Sequence, residues 1–329
     1  MKHLIFAAAV VVAAPAYADV KDAVENHALP AIDAFHTAAT DLFEASIRDC
    51  LAEAMVDPYN AAYDAWMGMS HLQAGPVETG GRGLAIAFWP DKRGMVQRTV
   101  TRMVADQDPI VTNPDEFREV SIAGRGLFAL EYLLFDPELS IYQAGDYTCA
   151  MVRAISADMV AMAEEIQTEW TQEYGPSLIN AGAEGNTRFL SPVEAQRAIY
   201  TSIVTGLEFT ADQRLGRPLG TFDTPRPTRA EAWRSARSLR NVELSLNALY
   251  DLAQEFADGP TPTMDDAFER AMNAVQKFGD PVFARVADPQ GWFEADVLRQ
   301  SIKQVEQAIA TDIGEPLGIA AGFNSSDGD

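Results

Sequence analysis

The apolar residues of this chain recur at intervals of three and four over nearly its whole length, and that spacing commits it to helices. Ile32, Phe35, Ala39, Leu42, Phe43 and Ile47 fall on one arc of a helical wheel, and Pro30 can serve as the first-turn residue of that helix. Val297, Leu298, Ile302, Val305, Ile309 and Ile313 repeat the pattern near the other end. Similar stripes run through residues 58–73, 92–107, 115–135, 144–173, 192–213, 229–257 and 263–277. Alternating runs joined by hairpin turns are scarce, so the expected fold class is all-α.

Irregular stretches divide the helices. "QAGPVETGGRGLAIAFWPDKRG" and "GRPLGTFDTPRPTR" are rich in Gly and Pro, and Pro218, Pro225 and Pro227 cannot continue a helix. Together with "GPSLINAGAEGNTRFLSP", which places a break near residues 175–190, they predict two helical-bundle domains, 19–180 and 181–329. A long loop in a compact domain tends to be functional, which draws attention to residues 75–94.

The first 18 residues read as a secretory leader. Lys2 precedes the apolar run "LIFAAAVVVAA", and Ala16 and Ala18 flank Tyr17 before a cut after Ala18. The expected location is the periplasm, with no membrane span. Acids outnumber bases 48 to 25, for a formal charge of −23, a field that repels nucleic acids and anionic lipid. Cys50 and Cys149 are the two cysteines. In an oxidising compartment such a pair is expected to bridge, and closing a loop of about a hundred residues stabilises a fold by roughly 4.7 kcal/mol.

"GLFALEYLLF" holds a single carboxylate, Glu131, among leucines, aromatics and alanine. On the wheel it lies between Leu127, Leu130 and Leu134 on one side and Phe128 and Phe135 on the other, so it points into the core or a pocket wall. A carboxylate there must be paired, protonated or bound to a metal. Arg125, Arg237 and Arg240 are candidate partners. A metal reading adds Asp33 and His36, spaced i, i+3 on the first helix, as co-ligands of Glu131. The chain contains no HExxH, no GxSxG elbow and no complete P-loop. Trp66 with His71, and Phe88 with Trp89, are placed to wall a ligand cleft or to anchor the core.

The segments "AWMGMSHLQAGP", "LAIAFWPDKRG", "GRGLFALEYLLF", "IVTGLEFTADQRLGRPLG", "WRSARSLRNVELSLNAL" and "LGIAAGFNSSDGD" together resemble the imelysin-like family of bacterial periplasmic proteins. The resemblance implies two helical bundles with a ligand cleft between them and a part in iron uptake; the family was first named for a metallopeptidase activity. Its signature is GxHxxE, with His and Glu as proposed metal ligands. Here Gly126 and Glu131 match, and Phe128 stands in the histidine position.

Phenylalanine cannot bind a metal, so the peptidase reading loses half of its ligand pair. The expectation is therefore a non-catalytic binding protein whose ligand is iron, an iron chelate or haem, with zinc ranked below these. Glu131 anchors the expected site, Trp66, His71, Trp89 and Phe128 wall it, and Arg82, Arg125, Arg237 and Arg240 supply charge. Iron-uptake or other envelope proteins are expected partners. The alternatives are a metal-dependent peptidase and a helical adaptor docking through residues 75–94.

Overall fold

The computed structural model describes residues 19–319. The leader, and the terminal motif from residue 320 onward, lie outside the described residues. Within them the fold is all-α, with no strand and one isolated bridge between Thr221 and Thr224. No helix of the described residues is long and apolar enough to cross a membrane.

The first half is built on α1 (Leu29–Arg48), α2 (Ala52–Met69), α3 (Met95–Asp106), α4 (Gly126–Phe135) and α5 (Tyr147–Glu169). α1 packs against both α2 and α5, and α4 is held among α2, α3 and α5. The second half consists of α6 (Pro192–Glu208), α7 (Ser238–Phe256), α8 (Pro262–Phe278) and α9 (Pro289–Ile309), with α8 against α9 and α6 against α7 and α9. The halves meet where α2 lies on α7. Cys50 and Cys149 form a disulfide that ties the α1–α2 connection to the first turn of α5.

The predicted stripe of α1 is buried at Ile32, Phe35, Ala39 and Leu42, whereas Ile47, in its last turn, is 55% exposed. Val297 is also exposed, because Leu298, one residue and about 100° further round α9, takes the inward direction. Helical structure begins at Val20 rather than at Pro30, running through a π turn at Ala23–Ala28 into α1. Residues 20–28 lie against the second half, and the Asp19 N–H donates to the Phe256 carbonyl at 3.1 Å.

Two predicted helices are shorter than their apolar patterns. The pattern over 115–135 is broken into short turns, and α4 starts only at Gly126. That glycine has φ +68°, and a Cβ on it would lie 2.1 Å from the Ala85 carbonyl oxygen, so only glycine lets α4 start there. From Gly126 to Leu134 every residue of α4 is buried, as expected for a helix that is apolar all round. The pattern over 229–257 becomes helical only at Ser238, and residues 231–236 form turns. Ala232 and Ala236 in that segment adopt φ of 47° and 55°. Left-handed backbone at a residue other than glycine costs about 1–3 kcal/mol and persists where neighbours hold it.

Candidate ligand-binding site

Glu131 is 1% exposed, and what holds it is the 231–236 segment. Its Oε1 accepts the Ser235 N–H at 3.0 Å and the Ser235 hydroxyl at 2.9 Å. Burial raises the carboxyl above its ordinary range, while the two Ser235 bonds and the Arg234 charge pull it back. The Arg234 guanidinium lies 4.0 Å above the Tyr132 ring and 4.5 Å above the Trp233 ring.

Glu131 lines a cleft of about 650 Å3 together with Trp89, Phe128, Tyr132 and Trp233. Lys92, Arg217, Arg229 and Arg234 surround the same space, against Asp91 and Glu131 as its acids. None of these four cations is in a salt bridge among the described residues. Arg217 lies over Trp89, and burial with the neighbouring Arg229 charge pushes its guanidinium below the ordinary value. Chemically this is an aromatic-walled pocket with unneutralised donors, suited to an acidic organic group.

The arginines predicted as partners of Glu131 are engaged elsewhere. Arg82 donates to Glu165 at 2.9 Å and to Glu169 at 2.6 Å. Arg125 grips Asp158 with two bonds of 2.8 Å, because as N-cap of α4 it points toward α5 and not along the inner face. Arg237 and Arg240 both bind Asp64 of α2, and Arg237 also donates to the Asn60 side chain at 2.7 Å. Each therefore fastens helices together. The cations at the cleft come instead from residues that helical periodicity cannot place, in loops and in the turns around residues 216–236.

The predicted Glu131, Asp33 and His36 set is not assembled. Asp33 is exposed and accepts from Gln167 at 2.8 Å, and neither it nor His36 lines the cleft. Among the described residues no three His, Cys, Asp or Glu side chains are grouped to hold a metal ion. Phe128, in the signature histidine position, is 5% exposed, with its ring centroid 6.1 Å from that of Tyr63.

Trp66 and His71 belong to a second, inner chamber of about 380 Å3 that shares Trp89 with the outer cleft. Arg214 and Glu231 face it as a buried ion pair, Nε to Oε2 at 2.8 Å. Asn241 donates to the same carboxylate oxygen at 3.1 Å, and Arg214 Nη1 donates to Thr210 at 3.1 Å and Ser245 at 3.3 Å. Arg214 is carried by a π turn, Phe209–Leu215, that extends α6. Such turns recur at functional sites, and this one also places Phe209, whose ring lies 4.8 Å from the guanidinium and 5.9 Å from Trp89. His71 meets His27 through their Nε2 atoms at 2.9 Å. Burial lowers His27 to about 4, and burial, His27 and Arg214 hold His71 well below its ordinary value.

The fold and sequence have recognisable relatives. A crystal structure of an imelysin-like protein from Psychrobacter arcticum superimposes with a TM-score of 0.71 at 17% identity, over 93% of this chain and 99% of that one. A structure described as an iron-regulated protein A precursor from Parabacteroides distasonis gives 0.68 at 14% identity, over 90% and 97%. In sequence, the chain is 24% identical over 287 residues to iron-regulated protein A of Synechococcus elongatus, covering 79% of this chain and 74% of that protein. The Imelysin family pattern, Peptidase_M75, matches residues 13–309, and the chain belongs to that family.

Proposed function

We propose that this protein is a periplasmic binding protein that takes an anionic iron complex, a carboxylate-bearing ferric chelate or haem, into the cleft floored by Glu131. The observation that carries the reading is the cluster of Lys92, Arg217, Arg229 and Arg234 without salt bridges, around aromatic walls, in a chain of net charge −23. Cations concentrated against the sign of the whole molecule are suited to an anion and not to a bare metal ion. The iron content of the reading rests on the names of the relatives from Synechococcus elongatus and Parabacteroides distasonis. The periplasmic setting is supported by the leader-like first 18 residues and by the Cys50–Cys149 disulfide.

In this reading Glu131 keeps the 231–236 segment in place, so that Arg234 and Trp233 face the ligand. Trp89 and Tyr132 pack on its flat parts, and Arg217 and Arg229 bind its carboxylates. The test is calorimetric titration of the mature protein with ferric citrate and with haem, in wild type and in Arg217→Ala and Arg234→Ala. The expected result is binding of at least one complex, weakened about tenfold or more by each substitution, a loss of about 1.4 kcal/mol or more. Absence of binding to both complexes, or binding indifferent to both arginines, overturns the proposal.

A further inference from the structure

The inner chamber differs in kind from the outer cleft. Its walls are Trp66, Leu84, Ala87, Trp89 and Phe209, and its charges cancel, since Arg214 and Glu231 neutralise each other and are 5% and 4% exposed. His71 adds no charge near neutrality, because burial keeps it unprotonated. The chamber shares His71, Gln73, Gly83, Leu84 and Thr205 with an open groove of about 580 Å3. Leu84, 56% exposed, stands as an apolar residue at their junction.

Hydrogen-bonding capacity is left over at one end. Glu231 Oε2 is used by Arg214 and Asn241, while its Oε1 accepts no hydrogen bond from the described residues. Arg214 Nη2 meets only the Met67 sulfur, at 3.8 Å. An acceptor and a donor therefore stand side by side on one rigid ion pair, at the end of an apolar chamber.

We infer that the inner chamber is a second binding site, for a neutral planar aromatic molecule that carries an adjacent donor and acceptor, as a primary carboxamide does. Its ring fits between Trp66, Trp89 and Phe209, its N–H donates to Glu231 Oε1, and its carbonyl accepts from Arg214 Nη2. A carboxylate is rejected, because it has no N–H for Glu231 and sets a like charge against it. This site does not depend on the anion reading of the outer cleft.

A matched series tests it: 2-naphthamide, naphthalene and 2-naphthoate, titrated calorimetrically into the full mature chain at neutral pH. The amide binds one to one, and the other two bind about tenfold or more weakly, since each leaves at least one polar group of the pair unmatched. Ala87→Phe, which fills the chamber, weakens the amide about tenfold or more, with cooperative thermal melting as the check that it folds. A crystal with a brominated naphthamide locates the molecule by anomalous scattering independently of any variant. Bromine between Trp66 and Phe209 supports the inference. No binding of the amide, preference for the naphthoate, or bromine against Arg217 and Arg229 in the outer cleft overturns it.

Discussion

Glu131 Oε1 accepts both the backbone N–H and the hydroxyl of Ser235, a residue 104 positions away in sequence and set between two alanines of left-handed backbone. The carboxylate thus holds a strained turn that carries two walls of the cleft. Glu131→Gln keeps an oxygen acceptor and is expected to cost about 1 kcal/mol, whereas Glu131→Leu leaves Ser235 unpaired and costs about 3 kcal/mol. Urea unfolding of the two variants measures both values. Equal stability of Glu131→Leu and wild type would show that the turn stands without it.

The His27 and His71 pair makes the fold sensitive to acid. An unfolded histidine takes up its proton near 6.5, while the buried His27 does so at about 4. Between those values the unfolded chain binds more protons, so acid favours unfolding and stability falls as pH drops through the window. The loss from His27 is about 3 kcal/mol by pH 4. Urea midpoints measured across this range in wild type and in His27→Gln check it, and the variant is expected to show the shallower decline.

Arg214 and Glu231 are each buried at the expense of hydration and compensate one another. Arg214→Met strands the Glu231 carboxylate and is expected to destabilise by about 3–5 kcal/mol. The double variant Arg214→Met with Glu231→Leu is expected to recover most of that. Denaturant unfolding of the two singles and the double gives the coupling directly, and additive losses would contradict it.

Gly126→Ala sets a Cβ against the Ala85 and Ile86 carbonyls at 2.1 and 2.3 Å, on a backbone with φ +68°. Backbone cannot yield as a flexible side chain does, so the expected cost is about 3 kcal/mol or more. Thermal unfolding of this variant beside Gly145→Ala, where a Cβ meets nothing within 4 Å, separates the clash from the general cost of replacing glycine.

Burial of Glu131 was legible because α4 is apolar around its whole circumference, and a lone carboxylate in such a helix has only the interior to face. Its partner was not legible. Ser235 lies where an apolar stripe continues without a helix, and nothing in the chemistry of Ala232 and Ala236 announces a left-handed backbone. Arg214 escaped for a related reason. The helical pattern over 192–213 stops one residue short of it, and the π turn that carries it departs from the 3.6-residue period on which the pattern rests. The arginines that periodicity could place, Arg125, Arg237 and Arg240, are those that serve helix packing. His27 and His71 show the same limit in another form, since 44 residues separate two rings that only the completed packing brings within 2.9 Å.

Asp64 accepts from both Arg237 and Arg240, and so pins the start of α7 to the middle of α2. The two halves of the molecule are thereby denied a hinge at that crossing. Access to the cavities then falls to the short segments at their rims, residues 82–94 and 226–236, whose displacement breaks none of the contacts between Asp64 and these two arginines. The protein is in this sense a rigid box with small doors, and rates of ligand entry are set by local loop opening and not by domain closure.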